Sequence, residues 1–407
     1  MMNAPVADRP VTDSGIVDRY LELALRLGRH VDGFVDAYYG PPAFRVRVDA
    51  EPVTAPLVLA SDAEILLADL DAGVDADVVD ASRRRWMRAQ VLGLHTSARK
   101  LAGESIAYAD EVEWCYGVRP RFRSEDDFAA AHTRLDEVLP GTGPIRDRII
   151  AWREALAIPV DSLDAVIRSL AADFRERTAR QFGLPDGEHV EWELAHDQPW
   201  SGFNYYEGDL HSRVAINTDL PVLATSIAHL VAHEAYPGHH TEHSRKEAGL
   251  VRRRGWQEES IFCVGTPQCL LAEGLADLAL EVIAGERSEP LVAEHLRATG
   301  IAYDADVVAA VRVAGESLDA VRSNAAWLLH TDHASVDDVV SYLERWGLLP
   351  FNRATKAVEF LTSTTWRAYI SCYVEGLPLC RSWVGGDASR FATLLTEQVV
   401  PDDLSAS

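Results

Sequence analysis

Residues 222–240 read Val-Leu-Ala-Thr-Ser-Ile-Ala-His-Leu-Val-Ala-His-Glu-Ala-Tyr-Pro-Gly-His-His, and everything else follows from how they are read. Asp219 and Pro221 carry the marks of a helix start, a capping side chain and then proline in the first turn. A helix over about 221–243 then holds His233 and Glu234 in an apolar setting, where a bare polar pair is costly unless satisfied. His-Glu on a helix also opens the H-E-x-x-H pattern, in which two histidines one turn apart bind zinc and the glutamate serves as general base toward water. The pattern breaks at the position four after His233, which is Pro237.

In an unbroken helix His240 would point within about 20° of His233 but lie roughly 10 Å further along, and His239 would be about 120° off the face. Pro237 removes a helix hydrogen bond, and Gly238 permits backbone angles closed to other residues. A Pro-Gly bulge that loops out about two residues returns His239 to the usual second-ligand place, whereas looping out three selects His240. The two-residue bulge is preferred, and both histidines stand as metal candidates.

A catalytic site needs a third protein ligand and an open position. The segment Leu270-Leu-Ala-Glu273-Gly274-Leu-Ala-Asp277-Leu-Ala-Leu-Glu281 predicts a helix over about 268–284 with acids one turn apart among apolar residues. Glu273 is the expected ligand, and Asp277 is expected to hydrogen-bond a ligand histidine from behind. Glu242, Glu247, Glu258 and Glu259 are rivals in a charged stretch that reads as exposed. His229 is expected to pack or to support the site. The donor types favour one Zn2+ ion over manganese or cobalt.

The rest of the chain reads as mainly α. Ile16, Tyr20, Leu23, Ala24, Leu27 and Val31 form one apolar stripe, and Leu163, Val166, Ile167, Leu170, Phe174 and Thr178 form another. Further helices are expected near 62–72, 82–101, 125–138, 146–156, 304–330 and 335–346, the last capped by Ser335 with Asp338. Pro41 to Pro56 reads as an irregular connection. Alternation at Val190, Trp192 and Leu194, then a turn at Gly208-Asp209, predicts a small antiparallel sheet around 189–217. The whole, 1–407, reads as a single helical domain that could form two lobes around a cleft.

A net charge of −24 excludes a broad basic surface for nucleic acid. Five cysteines, odd in number and without a C-x-x-C pair, argue against a disulfide framework. Met1 to Asp13 lacks the apolar core of a signal peptide, and no apolar run reaches membrane-spanning length, so a cytoplasmic protein without membrane partners is expected. Oligomeric state is not readable.

His233-Glu-Ala-Tyr-Pro-Gly-His-His240 followed by Glu273-Gly-Leu-Ala resembles the hallmark pair of the bacterial domain of unknown function 885. The resemblance extends to Gly33-Phe-Val-Asp-Ala-Tyr-Tyr-Gly40, to Asn204-Tyr-Tyr-Glu-Gly with Ile216-Asn-Thr-Asp-Leu-Pro221, and to Tyr369 and Tyr373-Val-Glu-Gly376. It implies a large helical fold with a deep cleft, similar to the thermostable (Taq-type) zinc carboxypeptidases. Those enzymes carry H-E-x-G-H, and matching their Gly-His to Gly238-His239 also favours His239. Leu275 departs from the pattern, which often has an aromatic residue there.

Hydrolysis of a peptide also needs a donor for the developing oxyanion. Tyr369 or Tyr373 is the preferred candidate, with Tyr205, Tyr206 and Tyr236 behind them. Arg367 is the expected clamp for a substrate carboxylate, and Tyr205 and Tyr206 are expected near the substrate. The chain thus reads as a zinc-dependent hydrolase of short peptides in the manner of a carboxypeptidase. A hydrolase of another amide and a non-catalytic metal- or peptide-binding protein are the alternatives.

Overall fold

A computed structural model describes residues 15–73, 78, 80–198, 200–363 and 366–405; the stretch Met1 to Asp13 lies outside the described residues. The fold is largely helical, with two small sheets. In chain order come α1 (Ile16–Gly28), β1 (Val35–Tyr38), α2 (Pro42–Ala50), α3 (Pro56–Ala72), α4 (Ala81–Leu101), α5 (Tyr108–Tyr116), α6 (Glu125–Val138), α7 (Ile145–Ala155) and α8 (Val160–Gln181). Strands β2 (His189–Ala195), β3 (Gly202–Gly208) and β4 (His211–Asn217) precede α9 (Ile227–Glu234) and α10 (His239–Lys246). A short π-helix (Glu247–Arg253) and β5 (Ile261–Cys263) lead into α11 (Pro267–Ala284). The remainder is α12 (Ser288–Leu296), α13 (Ala305–Gly315), α14 (Val321–His330), α15 (Val336–Trp346), α16 (Phe351–Thr362), α17 (Ile370–Val384), α18 (Ala388–Thr396) and α19 (Pro401–Ser405).

One apolar core joins α1, α3 and α4 through Tyr20, Leu27, Leu59, Leu66, Trp86 and Leu94. Another gathers α5, α11 and the C-terminal helices around Leu270, Leu271, Leu275, Val339 and Phe391. A third lies among α8, β4 and α9, with Phe174, Val214, Ile216, Ile227 and Val231. Helix α11 spans two of these cores, contributing Leu270, Leu271 and Leu275 to the second and Ala279 and Ile283 to the third, where it packs against α9. All five cysteines are buried and free. Among the described residues no helix is long and apolar enough to cross a membrane.

Several expectations are corrected. The sheet around 189–217 has the order β2-β4-β3, with β2 parallel to β4 and only the β3–β4 hairpin antiparallel. The helix expected from about 221 begins at Ile227. Residues 222–224 instead bond to 156–158, with Ile158 N donating to Val222 O (2.9 Å) and Ala224 N to Leu156 O (2.8 Å). Asp219 accepts from the backbone of Asp197 (3.1 Å) and Gln198 (3.3 Å) rather than capping a helix. Pro42 opens a helix where a loop was expected, proline being tolerated at the first helical position. The expected helix 304–330 is two helices joined by a 3₁₀ turn at Glu316–Ala320. Glu242, Glu247, Glu258 and Glu259 are all buried, not exposed. Lys246 pairs with Glu242 (2.7 Å) and Arg83 with Glu258 (2.5 Å), which lets α10 and the following turns enter the interior.

Candidate metal centre

Helix α9 ends at Glu234, and the chain re-enters a helix at His239 after a cis Tyr236–Pro237 peptide. The ladder does not close with ordinary i→i−4 bonds across this break. Gly238 N donates to Ala232 O (2.9 Å) and Thr241 N to Ala235 O (3.2 Å), each spanning six residues instead of four. Two residues are therefore added to the turn, and His239 falls where a ligand one turn after His233 would stand. A Cβ at Gly238 would overlap the carbonyl oxygen of His233, so no other residue fits.

His233 Nε2 and His239 Nε2 lie 3.2 Å apart. Glu273 Oε2 is 3.3 Å from the first, and Glu273 Oε1 is 3.8 Å from the second. Metal bonds of 2.0–2.1 Å in a tetrahedron separate ligand atoms by about 3.3 Å, so the trio is spaced as a divalent ion requires. Glu273 Oε2 is buried and accepts no well-directed hydrogen bond. An orphaned buried carboxylate oxygen costs free energy unless a cation meets it. The residues present fit a metal.

The surroundings orient these donors. His233 Nδ1 faces Asp277 Oδ1 at 2.9 Å, leaving Nε2 directed at the cluster. His229 Nε2 reaches the same Asp277 oxygen at 3.3 Å, so it supports the site from one turn back. Tyr369 donates to Glu273 Oε1 (2.6 Å), a bond to a charged acceptor worth about 1.5–3 kcal/mol. Tyr373 packs on Tyr369, with centroids 5.4 Å apart, and keeps 39% of its surface accessible.

Burial opposes charge on the His233 ring, but the close Asp277 and Glu273 carboxylates outweigh it and raise its pKa well above the usual value. Burial, with His233 close by, pushes His239 down to about 4, which keeps it a neutral donor near pH 7. Burial raises Glu234 to about 7, aided by Glu273 and Asp277 and opposed by His233. A carboxylate poised there can both accept and return a proton. Asn204 Nδ2 holds the Glu234 backbone carbonyl at 2.6 Å.

The other expected site residues are placed as follows. His240, the alternative second ligand, is turned away into the core, with Nε2 on Glu188 Oε2 and Nδ1 on Ser212 Oγ, both at 2.8 Å. With both ring nitrogens engaged it has none for the cluster. Arg367 is not free to clamp a substrate, because Nε bonds Glu111 Oε2 (2.7 Å) and its terminal nitrogen bonds Ile106 O (3.1 Å). Glu111 is buried, and Arg367 balances its charge together with Lys100. Tyr206 is buried and donates to Glu247, while its ring stacks on His243. Tyr205 lies on the outer sheet face with the Arg213 guanidinium 4.1 Å above it.

Asp36 was missed by sequence reasoning. It sits at a β-bulge, where Val35 pairs with Cys263 and Ala37 with Phe262, and such bulges re-aim side chains. Burial and the Glu273 and Glu234 carboxylates push its pKa up to about 7. A lone Asp in a short strand carries no periodic signal. Glu188, which fixes His240, was likewise hidden in a turn before β2.

No family model matches this chain, and no curated protein does. Among solved structures it is similar to the "putative lipoprotein" from Colwellia psychrerythraea, at 16% identity and a TM-score of 0.52, covering 85% of this chain and 65% of that one. The chain thus spans a little under two thirds of that protein's length, and at this identity the likeness is one of fold. A "putative lipoprotein of unknown function" from Shewanella oneidensis (9% identity, TM-score 0.48, 96% of this chain and 82% of that one) also matches. So does Trypanosoma cruzi metallocarboxypeptidase 1 (15% identity, TM-score 0.48, 96% and 95%).

Proposed function

We propose that this chain is a zinc-dependent hydrolase of peptides, of the kind the resemblance to the domain of unknown function 885 implies. His233, His239 and Glu273 would hold the ion. The observation that carries the reading is the convergence of these three donors beside the buried Glu234 carboxylate. Bound zinc would supply Lewis acidity toward water and a carbonyl oxygen. Glu234 takes the proton from the attacking water and later returns it to the leaving amine. Tyr373, which packs on Tyr369 and is partly exposed, would donate to the developing oxyanion, and the hydrogen bond from Tyr369 supports Glu273. Asp277 keeps the His233 ring aimed at the cluster.

The engagement of His240 with Glu188 and Ser212 favours an enzyme over a closed metal-binding site, since a fourth protein ligand from that residue is withdrawn. The engagement of Arg367 with Glu111 removes the expected carboxylate clamp, so the reading stops at peptidase without a preference for the C-terminal bond. The test is zinc content with hydrolysis of a dipeptide and tripeptide panel. Wild type is expected to carry zinc and cleave some members, while Glu234→Gln keeps zinc and loses at least about a hundredfold in rate. Full activity in that variant would remove Glu234 from its role.

A further inference from the structure

The outer face of the three-stranded sheet carries a second cluster of donors. Strands β2 and β4 run parallel in register, with His189 opposite His211 and Glu191 opposite Arg213. Side chains alternate between faces along a strand, so His189, Glu191 and His211 share the solvent side. His189 Nε2 lies 3.5 Å from Glu191 Oε1, and His211 Nε2 lies 3.9 Å from the same oxygen. The two rings meet edge to face at 4.6 Å. One ligand atom from each of the three residues falls within 4.8 Å of the other two.

The third strand completes the arrangement. The β3–β4 register shifts between Tyr206 and Gly208, and the extra residue is Glu207. Its Oε2 lies 3.3 Å from His211 Nδ1. A carboxylate on one ring nitrogen fixes the proton there and leaves the lone pair of the other nitrogen free, the usual setting of a metal-bound histidine. His211 Nε2 is indeed buried without a hydrogen-bond partner, and it is the atom that faces Glu191 and His189. Nothing in the sheet itself satisfies that nitrogen.

We propose that His189, Glu191 and His211 form a second metal site, for zinc or a similar divalent transition ion, separate from the centre at His233. Two imidazoles and a carboxylate are the donors such ions prefer, and closing the 3.5 and 3.9 Å gaps to about 3.3 Å needs only small side-chain shifts. The ion clips β2, an edge strand bonded only to β4 in its sheet, onto its neighbour. His189 and His211 adjoin Glu188 and Ser212, which hold His240 from the opposite face. The clip therefore steadies the residues that fix His240, the sequence neighbour of His239.

Metal stoichiometry by equilibrium dialysis against buffered zinc, on the full chain, tests this. Wild type is expected to bind two equivalents, and Glu273→Gln and His189→Ala one each. Glu207→Gln is expected to retain two at saturation but to weaken one of them about tenfold. Cobalt loaded into Glu273→Gln should give the visible bands of a site with nitrogen and oxygen donors, and Glu191→Gln placed on that background should abolish them. Equal stoichiometry in wild type and His189→Ala overturns the proposal. So does a single equivalent in wild type that disappears in Glu273→Gln, which leaves the centre at His233 standing. A single equivalent that survives Glu273→Gln but not His189→Ala supports the sheet site and removes the other.

Discussion

Glu259 occupies a position where a negative charge is hard to keep. Burial raises its pKa to about 7, with Glu258 and Glu242 adding to the shift and Lys246 opposing it. The folded state therefore binds this proton more tightly than the unfolded chain, whose glutamate titrates near 4.5. The stability it contributes is complete below the unfolded value and is lost as pH rises through about 7. Glu259→Gln, neutral at every pH, should match wild type in urea midpoint at about pH 4 and exceed it by about 1–3 kcal/mol at about pH 8. An equal difference at both pH values would show that the effect is packing. Site residues were legible where a residue type met a spacing. His-Glu, Gly238-His239 and the i, i+4 acids Glu273 and Asp277 point to convergence without coordinates. The fates of His240 and Arg367 were not legible, because Glu188 and Glu111, which engage them, lie 52 and 256 residues away.

Helices α11 and α17 cross with their backbones nearly touching. A Cβ on Gly274 would overlap the Gly376 carbonyl, and one on Gly376 would lie 2.6 Å from Leu270 O. This closeness puts Tyr369, at the start of α17, on Glu273, the neighbour of Gly274. Gly274→Ala should force the helices apart, costing about 1–3 kcal/mol by overpacking. It should also weaken zinc binding, because Glu273 loses its Tyr369 bond. Thermal melting and zinc titration check this, and unchanged zinc affinity in a destabilised variant would separate the crossing from the site. Helices with a regular apolar pattern, such as α4 and α6, were readable nearly to the residue. Strand polarity was not, since β2 and β4 pair in parallel only through a chain reversal that alternation does not encode. The true start of α9 was also hidden, because residues 222–224 bond to 156–158 and tertiary pairing overrode local signals.

At the scale of the molecule, the described residues divide into four apolar cores, three large and a smaller one around Leu135, Ile149 and Val311. Length and hydrophobic periodicity foretold a large helical body but not how the cores divide, which depends on contacts between distant helices. The five thiols share the fate of those cores. Cys115, Cys263, Cys269, Cys372 and Cys380 are each enclosed, and burial raises the pKa of every one. Only a thiolate reacts readily with a disulfide reagent, so the native molecule should be inert to Ellman's reagent while denatured protein releases five equivalents of chromophore. Rapid labelling of any thiol in the native state would contradict its enclosure. Because the thiols are spread over two cores, their colour becomes a clock. Residues 263 and 115 keep time for different halves of the interior, and whether they strike together reports whether those halves come apart as one.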